Sequence, residues 1–258
     1  MMTFVNGIDS LAYKSPALRW PPLGKMLLCV CMLVGSLSSK ALYGPLTVLG
    51  VGLFLFLYSI RFRAPSFILC LIAGVLAFNL AGTVVILVTQ PGAPLYSVQA
   101  LGMQVSVTRN GVDLSTLVFA RSLAGMFVVL FFASSTPVPH IFNALMMIGV
   151  PEYMAETSML LYRHSFMILE RAEQMVNAAD CRLGFSGWQT SIKTTGVLAA
   201  NLFIRSLDCA ERSQIALMSR NFSGSFPVLR EPRPMNISWV MLSLAALGSL
   251  LLLGNFLR

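Results

Sequence analysis

The chain has 258 residues, of which 56% are hydrophobic and 11% are charged. An average soluble domain carries about 25% charged residues, so this sequence has too little charge to cover a water-facing surface. Its net charge of +8 does not indicate nucleic-acid binding, because the basic residues are scattered through connecting segments and form no stripe with exposed aromatics. The composition predicts an all-α, polytopic membrane protein.

Four stretches without Asp or Glu approach or exceed the roughly 20 residues that a helix needs to cross a bilayer. They are residues 25–60, long enough for a helical hairpin, and residues 65–90, 114–137 and 237–257. We therefore expect three parts: an N-terminal transmembrane region of about four spans (residues 1–136), a cytoplasmic helical region (137–234) and a C-terminal transmembrane helix (235–258).

The basic residues predict the orientation of these spans, because Lys and Arg concentrate on the cytoplasmic side. With the N-terminus and the 137–234 region inside, fourteen of the 18 basic residues are cytoplasmic: Lys14, Arg19, Lys25, Arg61, Arg63, Arg163, Arg171, Arg182, Lys193, Arg205, Arg212, Arg220, Arg230 and Arg233. Lys40, Arg109 and Arg258 fall outside. We predict a multi-pass protein of the cell (inner) membrane, in contact with the lipid bilayer.

The connections between the spans are rich in turn residues. We expect a short external turn over residues 38–45 and an internal one over 61–65. Residues 91–110 are polar and are predicted to form an external loop, with Asn110-Gly111 as a tight turn. The run Thr136-Pro137-Val138-Pro139 should end the preceding helix, because proline removes a backbone donor.

Arg121 lies about ten residues into the fourth predicted span. A charge at that depth costs roughly 2.5–3.5 kcal/mol on insertion scales. The side chain must therefore face protein, water or the interface, and we favour a structural partner such as a backbone carbonyl over a transport role.

The region after residue 151 is different in character, since seven of the ten acidic residues lie between Glu152 and Phe222. Apolar residues recur there at helical spacing, as in Met159, Tyr162, Phe166, Leu169 and Val176, which predicts amphipathic helices. Residues 186–195 should separate two long helices. The apolar face could pack internally, lie on the membrane or bind a partner; taken alone, the pattern favours internal packing.

A matched element occurs twice in this region, 38 residues apart. Ala172-Glu173 precedes Ala178 and Arg182, and Ala210-Glu211 precedes Ala216 and Arg220 at the same spacings. In each copy the second alanine and the arginine are four residues apart and share a helix face. Gly184 and Asn221 follow, and both residue types tolerate the left-handed conformation that ends helices.

Two interpretations of this element remain open. An arginine in the last turn suits the helix dipole, so each could be a simple cap. Alternatively, each helix ends in a projecting guanidinium that binds carboxylates or carbonyls of another protein. The repetition favours the second interpretation.

The layout resembles the transmembrane T component of energy-coupling factor transporters, the CbiQ/EcfT family, over nearly the whole chain. The resemblance rests on Ser15-Pro16, Pro22-Leu23-Gly24-Lys25, Gly111, Thr136-Pro137-Val138-Pro139, Gly149-Val150-Pro151, Leu161-Tyr162-Arg163, Glu170-Arg171-Ala172-Glu173 and the two arginine elements. In the family each arginine is directly followed by glycine. Here Leu183 intervenes before Gly184, and Asn221 replaces the second glycine.

The resemblance implies a function for the chain as a non-catalytic coupling subunit of an ATP-driven importer. It implies two cytoplasmic ATPase subunits as partners, contacted through Arg182, Arg220, Ala178, Ala216, Gly184 and Asn221, and a membrane substrate-binding subunit. Its form is most similar to the cobalt or nickel type. A vitamin importer with the same coupling role, or a secondary transporter that carries substrate itself, remains the alternative.

The sequence offers no sign of catalysis or of a cofactor. It contains no phosphate-binding glycine loop, no nucleophile elbow and no HExxH motif, which are the usual signatures of such chemistry. His140 and His164 are the only histidines, and neither has acidic residues nearby at metal-ligand spacing. We predict no metal site.

Overall fold

The computed structural model describes residues 11–39, 41–61, 66–89, 94–100, 103–221 and 237–256. A 3₁₀ turn, Pro16–Arg19, precedes the helices α1 (Pro22–Ser38), α2 (Tyr43–Ile60), α3 (Ser66–Thr89), α4 (Arg109–Ser135), α5 (Val138–Met147), α6 (Glu152–Asp180), α7 (Trp188–Ser219) and α8 (Ile237–Phe256). Strands β1 (Pro94–Ala100) and β2 (Met103–Thr108) lie between α3 and α4. The predicted helical architecture is confirmed, with one β-hairpin added.

Tertiary contacts divide the chain into two units. We call residues 11–137 together with α8 the apolar unit, and residues 138–221 the amphipathic unit. In the described part of the chain, α2, α3 and α4 are long and apolar enough to cross a membrane, and α1 is a shorter apolar helix of 17 residues.

The core of the apolar unit lies between α2 and α4, which make the most extensive helix contact. Val48 and Phe56 of α2 and Val128 and Phe131 of α4 are almost fully buried there. Gly52 lets the two backbones approach, since a Cβ at this position would lie 3.2 Å from the Val128 side chain. Small residues at such contacts are typical of membrane helix pairs.

An aromatic cluster joins the 3₁₀ turn to three helices. The Trp20 ring lies 6.0 Å from Tyr58, 6.5 Å from Phe131 and 5.2 Å from Trp239, measured between ring centroids. Because the cluster joins the turn to α2, α4 and α8, it fixes the segment before α1 against the core.

Helix α3 buries only Ile68, while Phe78 is 80% exposed. It contacts α4 along one side, where the Ser122 hydroxyl donates to the Asn79 side-chain oxygen. The remainder of its surface is apolar, as expected for a helix surrounded by lipid.

A β-hairpin lies within residues 91–110, where the sequence predicted an external loop without naming strands. Strands β1 and β2 pair antiparallel, with Val98 opposite Val105 and Ser97 opposite Ser106. The alternation Met103-Gln104-Val105-Ser106-Val107 is a strand signal that the many polar residues hid. The predicted tight turn at Asn110-Gly111 is wrong, because both residues belong to the start of helix α4. The Thr108 hydroxyl caps this helix by accepting a hydrogen bond from the Gly111 N–H at 3.2 Å.

The helix break predicted at Thr136-Pro137-Val138-Pro139 is present, because α4 ends at Ser135 and α5 begins at Val138. The break between the two long helices spans residues 181–187, earlier and shorter than the predicted 186–195. The predicted boundary was wrong because the Ser and Thr residues from Thr190 onward are accommodated within α7, where the Ser191 and Thr195 hydroxyls bond to carbonyls four residues earlier.

Candidate functional site

The first arginine element ends α6 in a Schellman motif, whose left-handed residue is usually glycine. Here that residue is Leu183, with φ at 57°. The Leu183 N–H donates to Asp180 and the Gly184 N–H to Ala179, both at 2.9 Å, so two carbonyls of the last turn are satisfied. Leu183, and not Gly184, therefore has the left-handed conformation that ends the helix.

Gly184 is required for a different reason, which is lack of space. A Cβ at this position would lie 3.0 Å from the Ala179 carbonyl oxygen and 3.0 Å from the Thr194 methyl group. The Thr194 hydroxyl also donates to the Gly184 carbonyl at 2.8 Å. Gly184 thus lets the end of α6 approach the start of α7 closely.

The second element ends α7 in the corresponding way. Asn221 has φ at 54°, as the sequence led us to expect, and its N–H donates to the Met218 carbonyl at 3.0 Å. In both copies the arginine directly precedes the left-handed residue. Arg182 and Arg220 therefore occupy equivalent positions at the two helix ends.

Both arginines are exposed, and each lines a cleft with the alanine four residues before it. Ala178 and Arg182 line a cleft of about 410 Å³ between the end of α6 and the start of α7. Ala216 and Arg220 line another of about 390 Å³, with Leu160 and Arg163 on the opposite helix. The shared face inferred from the spacing is present in both copies.

The two clefts lie at opposite ends of an antiparallel pair of helices. Arg220 shares its cleft with Arg163 of α6, whereas Arg182 follows the far end of the same helix. Lys193 lines the cleft of Arg182, and Lys193 and Arg220 lie 27 residues apart along α7, which is roughly 40 Å at a rise of 1.5 Å per residue. The structure therefore holds the arginines apart and presents two separate positive sites.

Helix α7 has no buried residue, and eight of its large apolar side chains are exposed. Ile204, Leu207, Ile215 and Met218 are 51–69% exposed, and their spacings of three and eight residues place them on one face. We call these four residues the outer stripe; none of them lines either cleft. Internal packing does not account for this face of α7, whereas Met159, Tyr162, Phe166 and Leu169 of the predicted apolar stripe on α6 are half-buried.

Arg121 has the structural partner that its depth suggested. Its guanidinium donates to the Ser39 carbonyl oxygen at 2.6 Å, at the end of α1. This bond satisfies a carbonyl that the end of a helix leaves without an intrahelical partner. Arg121 thereby links α4 to the connection between α1 and α2.

Among the residues that the structure describes, no group of three or more His, Cys, Asp or Glu side chains could hold a metal ion. The ion pair between Arg212 and Asp208, at 2.9 Å, is exposed and joins successive turns of α7. Such pairs contribute about 0–1 kcal/mol. The basic side chains at the helix ends are thus the charged feature of interest.

The sequence matches the cobalt transport protein family CbiQ over residues 13–230, which is most of the chain. The chain belongs to the CbiQ family. The resemblance inferred from the motifs is thereby confirmed. Together with the long apolar helices, this membership makes the chain a membrane component of a cobalt-type transport system.

Individual relatives are similar along most of the chain. The cobalt transport protein CbiQ of Salmonella typhimurium is 23% identical over 86% of this chain and 99% of its own length. A fused cobalt transport protein CbiMQ of Methanocorpusculum labreanum is 28% identical over 95% of this chain, which spans 41% of the fused protein. An uncharacterized protein of Methanocaldococcus jannaschii is 27% identical over 92% of this chain and 88% of its own length.

Proposed function

We propose that this CbiQ-family chain is the coupling subunit of an ATP-driven importer for cobalt or nickel. It binds two ATPase subunits on the cytoplasmic side and a substrate-binding subunit in the membrane, and it catalyses no reaction itself. Residues 1–136 and 235–258 span the membrane with the N-terminus inside, and residues 137–234 form the cytoplasmic region. ATP-driven movement enters at the helix ends and passes to the substrate-binding subunit.

The observation that carries this proposal is the pair of equivalent arginine ends. Each exposed guanidinium can donate two parallel hydrogen bonds to a carboxylate, and the small Ala178 or Ala216 beside it leaves room for a partner. Two equivalent sites roughly 40 Å apart suit two copies of one partner better than a single ligand. A dimer of ATPase subunits meets this requirement.

Leu183 supports a protein partner at the first site. It is 73% exposed and is held in a left-handed conformation that costs a non-glycine residue roughly 1–2 kcal/mol. Backbone strain of this size is concentrated at functional sites. An exposed leucine beside Arg182 fits an apolar pocket next to an acidic group on the ATPase subunit.

The outer stripe supports a second contact, distinct from the first. A helix that leaves four large apolar side chains exposed on one face is suited to a protein or membrane interface. Since the stripe and the clefts use different faces of α7, the ATPase subunits and the substrate-binding subunit can be bound at the same time. This arrangement is what a coupling element requires.

The alternative of a secondary transporter has less support. Such proteins place polar and ionisable groups at broken helices near the midplane of the bilayer. Arg121 is the charged residue deep in a predicted span, and it donates to the Ser39 carbonyl. A vitamin importer would use the same coupling geometry and differ only in the substrate-binding subunit.

Charge reversal at both helix ends tests the proposal. Removing one partner from a buried charge pair costs about 2–5 kcal/mol. We therefore expect the double substitution Arg182→Glu and Arg220→Glu to weaken ATPase binding at least about thirtyfold and to abolish ATP-driven cobalt uptake. Binding is measured by co-purification from membranes and uptake with radioactive cobalt in liposomes.

Arg109→Glu is the matched control, because Arg109 is also exposed but lies at the start of α4 in the apolar unit. It should leave ATPase binding and uptake close to the native level. Native binding by the double variant would reduce both arginines to helix caps. Uptake of a vitamin and of no metal by the native complex would preserve the coupling role and change only the substrate.

A further inference from the structure

Lys25 is an almost fully buried lysine in the apolar unit, with 2% of its surface exposed. Its ammonium group donates to the Ser135 carbonyl at 2.7 Å and to the Ala17 carbonyl at 3.3 Å. Ser135 is the last residue of α4, and Ala17 belongs to the 3₁₀ turn. One side chain therefore joins the start of α1 to the turn before it and to the end of α4.

The position of this charge is explained by α4 and not by its own helix. Lys25 lies in the first turn of α1, where the helix dipole disfavours a cation, whereas the end of α4 favours one. Burying an ammonium group is costly unless hydrogen bonds compensate it. A methionine of similar length could fill the space, so the two carbonyls account for the lysine.

Buried hydroxyl groups reinforce the same helix end. The Ser59 hydroxyl lies 3.0 Å from the Ser15 hydroxyl and 3.0 Å from the Ser134 hydroxyl, and Ser134 donates to the Phe131 carbonyl at 3.2 Å. All three serines are at most 5% exposed. The last turn of α4 is thus tied to α1, α2 and the segment preceding α1.

The tied end of α4 directly precedes the chain connection to the amphipathic unit. Only Thr136 and Pro137 separate Ser135 from α5, and the ring of Pro137 restricts the backbone there. A force on this connection acts first on the last turn of α4. If that turn could open, it would absorb the movement instead of passing it to the other helices.

We propose that Lys25 is a positioning residue for coupling: it holds the end of α4 closed, so that movement of the amphipathic unit reaches the membrane helices. The inference rests on the proposed coupling function and extends it to a residue of the apolar unit. Without the ammonium group, ATP hydrolysis continues but drives less transport.

The test uses the complete complex in liposomes and compares Lys25→Met with the native chain. ATP hydrolysis and cobalt uptake are measured in the same vesicles, and hydrogen exchange is followed over residues 132–136. A hydrogen bond from a charged donor is worth roughly tenfold or more in an equilibrium. We expect ATP hydrolysis of at least about half the native rate, about tenfold less cobalt per ATP, and about tenfold faster exchange at the end of α4.

Lys14→Met is the matched control, since Lys14 is exposed and lies in the same N-terminal segment. It should leave ATP hydrolysis, cobalt per ATP and exchange at the end of α4 unchanged. Lys25→Met with native cobalt per ATP would overturn the proposal, as would native exchange at the end of α4. If Lys25→Met fails to accumulate, Lys25→Gln is measured in its place, because glutamine keeps a polar side chain but lacks the charged donor that bonds to the Ser135 and Ala17 carbonyls. If this variant assembles into the complex and moves less cobalt per ATP than the native chain, the proposal is supported. Native cobalt per ATP in this variant would overturn it.

Failure of the proposed function gives a different result. A native complex without ATP-driven uptake would overturn the coupling function and the role of Lys25 within it. Exchange at the end of α4 would still show whether Lys25 holds that helix closed.

Discussion

Leu183 adopts the left-handed conformation that ends α6, and Gly184 is the residue that packs tightly against α7. The sequence indicated a helix end near this pair, since glycine close behind an arginine is typical of one. It could not indicate that the left-handed residue is the leucine, because the close contact of Gly184 with Ala179 and Thr194 depends on how α7 returns along α6. In both copies the arginine directly precedes the left-handed residue, so the geometry is the same although that residue is leucine in one copy and asparagine in the other.

Leu183→Gly should stabilise the end of α6, because glycine adopts the left-handed conformation without steric cost. We expect a gain of about 1 kcal/mol, seen as roughly fivefold slower hydrogen exchange at residues 183 and 184. Gly184→Ala should do the opposite and cost about 1–3 kcal/mol through overpacking against the Ala179 carbonyl. Exchange is measured by mass spectrometry on the purified chain.

Gly196→Ala provides the control, since a Cβ there meets no atom within 4 Å. It should leave exchange at the end of α6 unchanged. Equal exchange in all three variants would mean that neither strain nor close packing limits the opening of this helix end.

At the scale of elements, the long apolar runs predicted the apolar helices well, but the β-hairpin between α3 and α4 was not predicted. Helices α2, α3 and α4 follow from runs that a bilayer requires, and their ends were found to within a few residues, apart from the start of α4. Strand β2 was missed because its alternation is short and its residues are polar. The bond between Lys25 and Ser135 joins residues 110 positions apart, and no local pattern reveals a contact of that kind.

The two faces of α7 should be separable by mutation. Ile215→Glu places a charge in the outer stripe, where burying it against an apolar partner costs several kcal/mol. We expect loss of the membrane substrate-binding subunit on co-purification, with at least about half of the ATPase subunits retained. Thr195→Glu, an exposed position outside the stripe, should retain both partners.

The opposite pattern, with the ATPase subunits lost and the substrate-binding subunit kept, would exchange the assignments of the two faces. Retention of both partners would leave the outer stripe as a surface for lipid.

At the scale of the whole molecule, the chain combines two units with different surfaces. The apolar unit buries polar side chains such as Lys25 and Ser135 and exposes hydrophobic ones such as Phe78, which is the pattern expected in a bilayer. The amphipathic unit exposes charged helix ends together with an apolar face, and the two proposed kinds of partner rest on these two features. The apolar runs predicted the long helices of the first unit, and the acidic residues with helical apolar spacing predicted the amphipathic helices of the second, whereas the outer stripe required the structure.

Reconstitution tests the central claim, that this chain couples the ATPase subunits to transport and carries no substrate alone. The purified chain is placed in liposomes by itself, and then together with its ATPase and substrate-binding subunits, and ATP-dependent uptake of radioactive cobalt is followed. We predict uptake only by the full complex and only with ATP. Uptake by the chain alone, or none by a verified full complex supplied with cobalt, nickel or vitamins, would contradict the account.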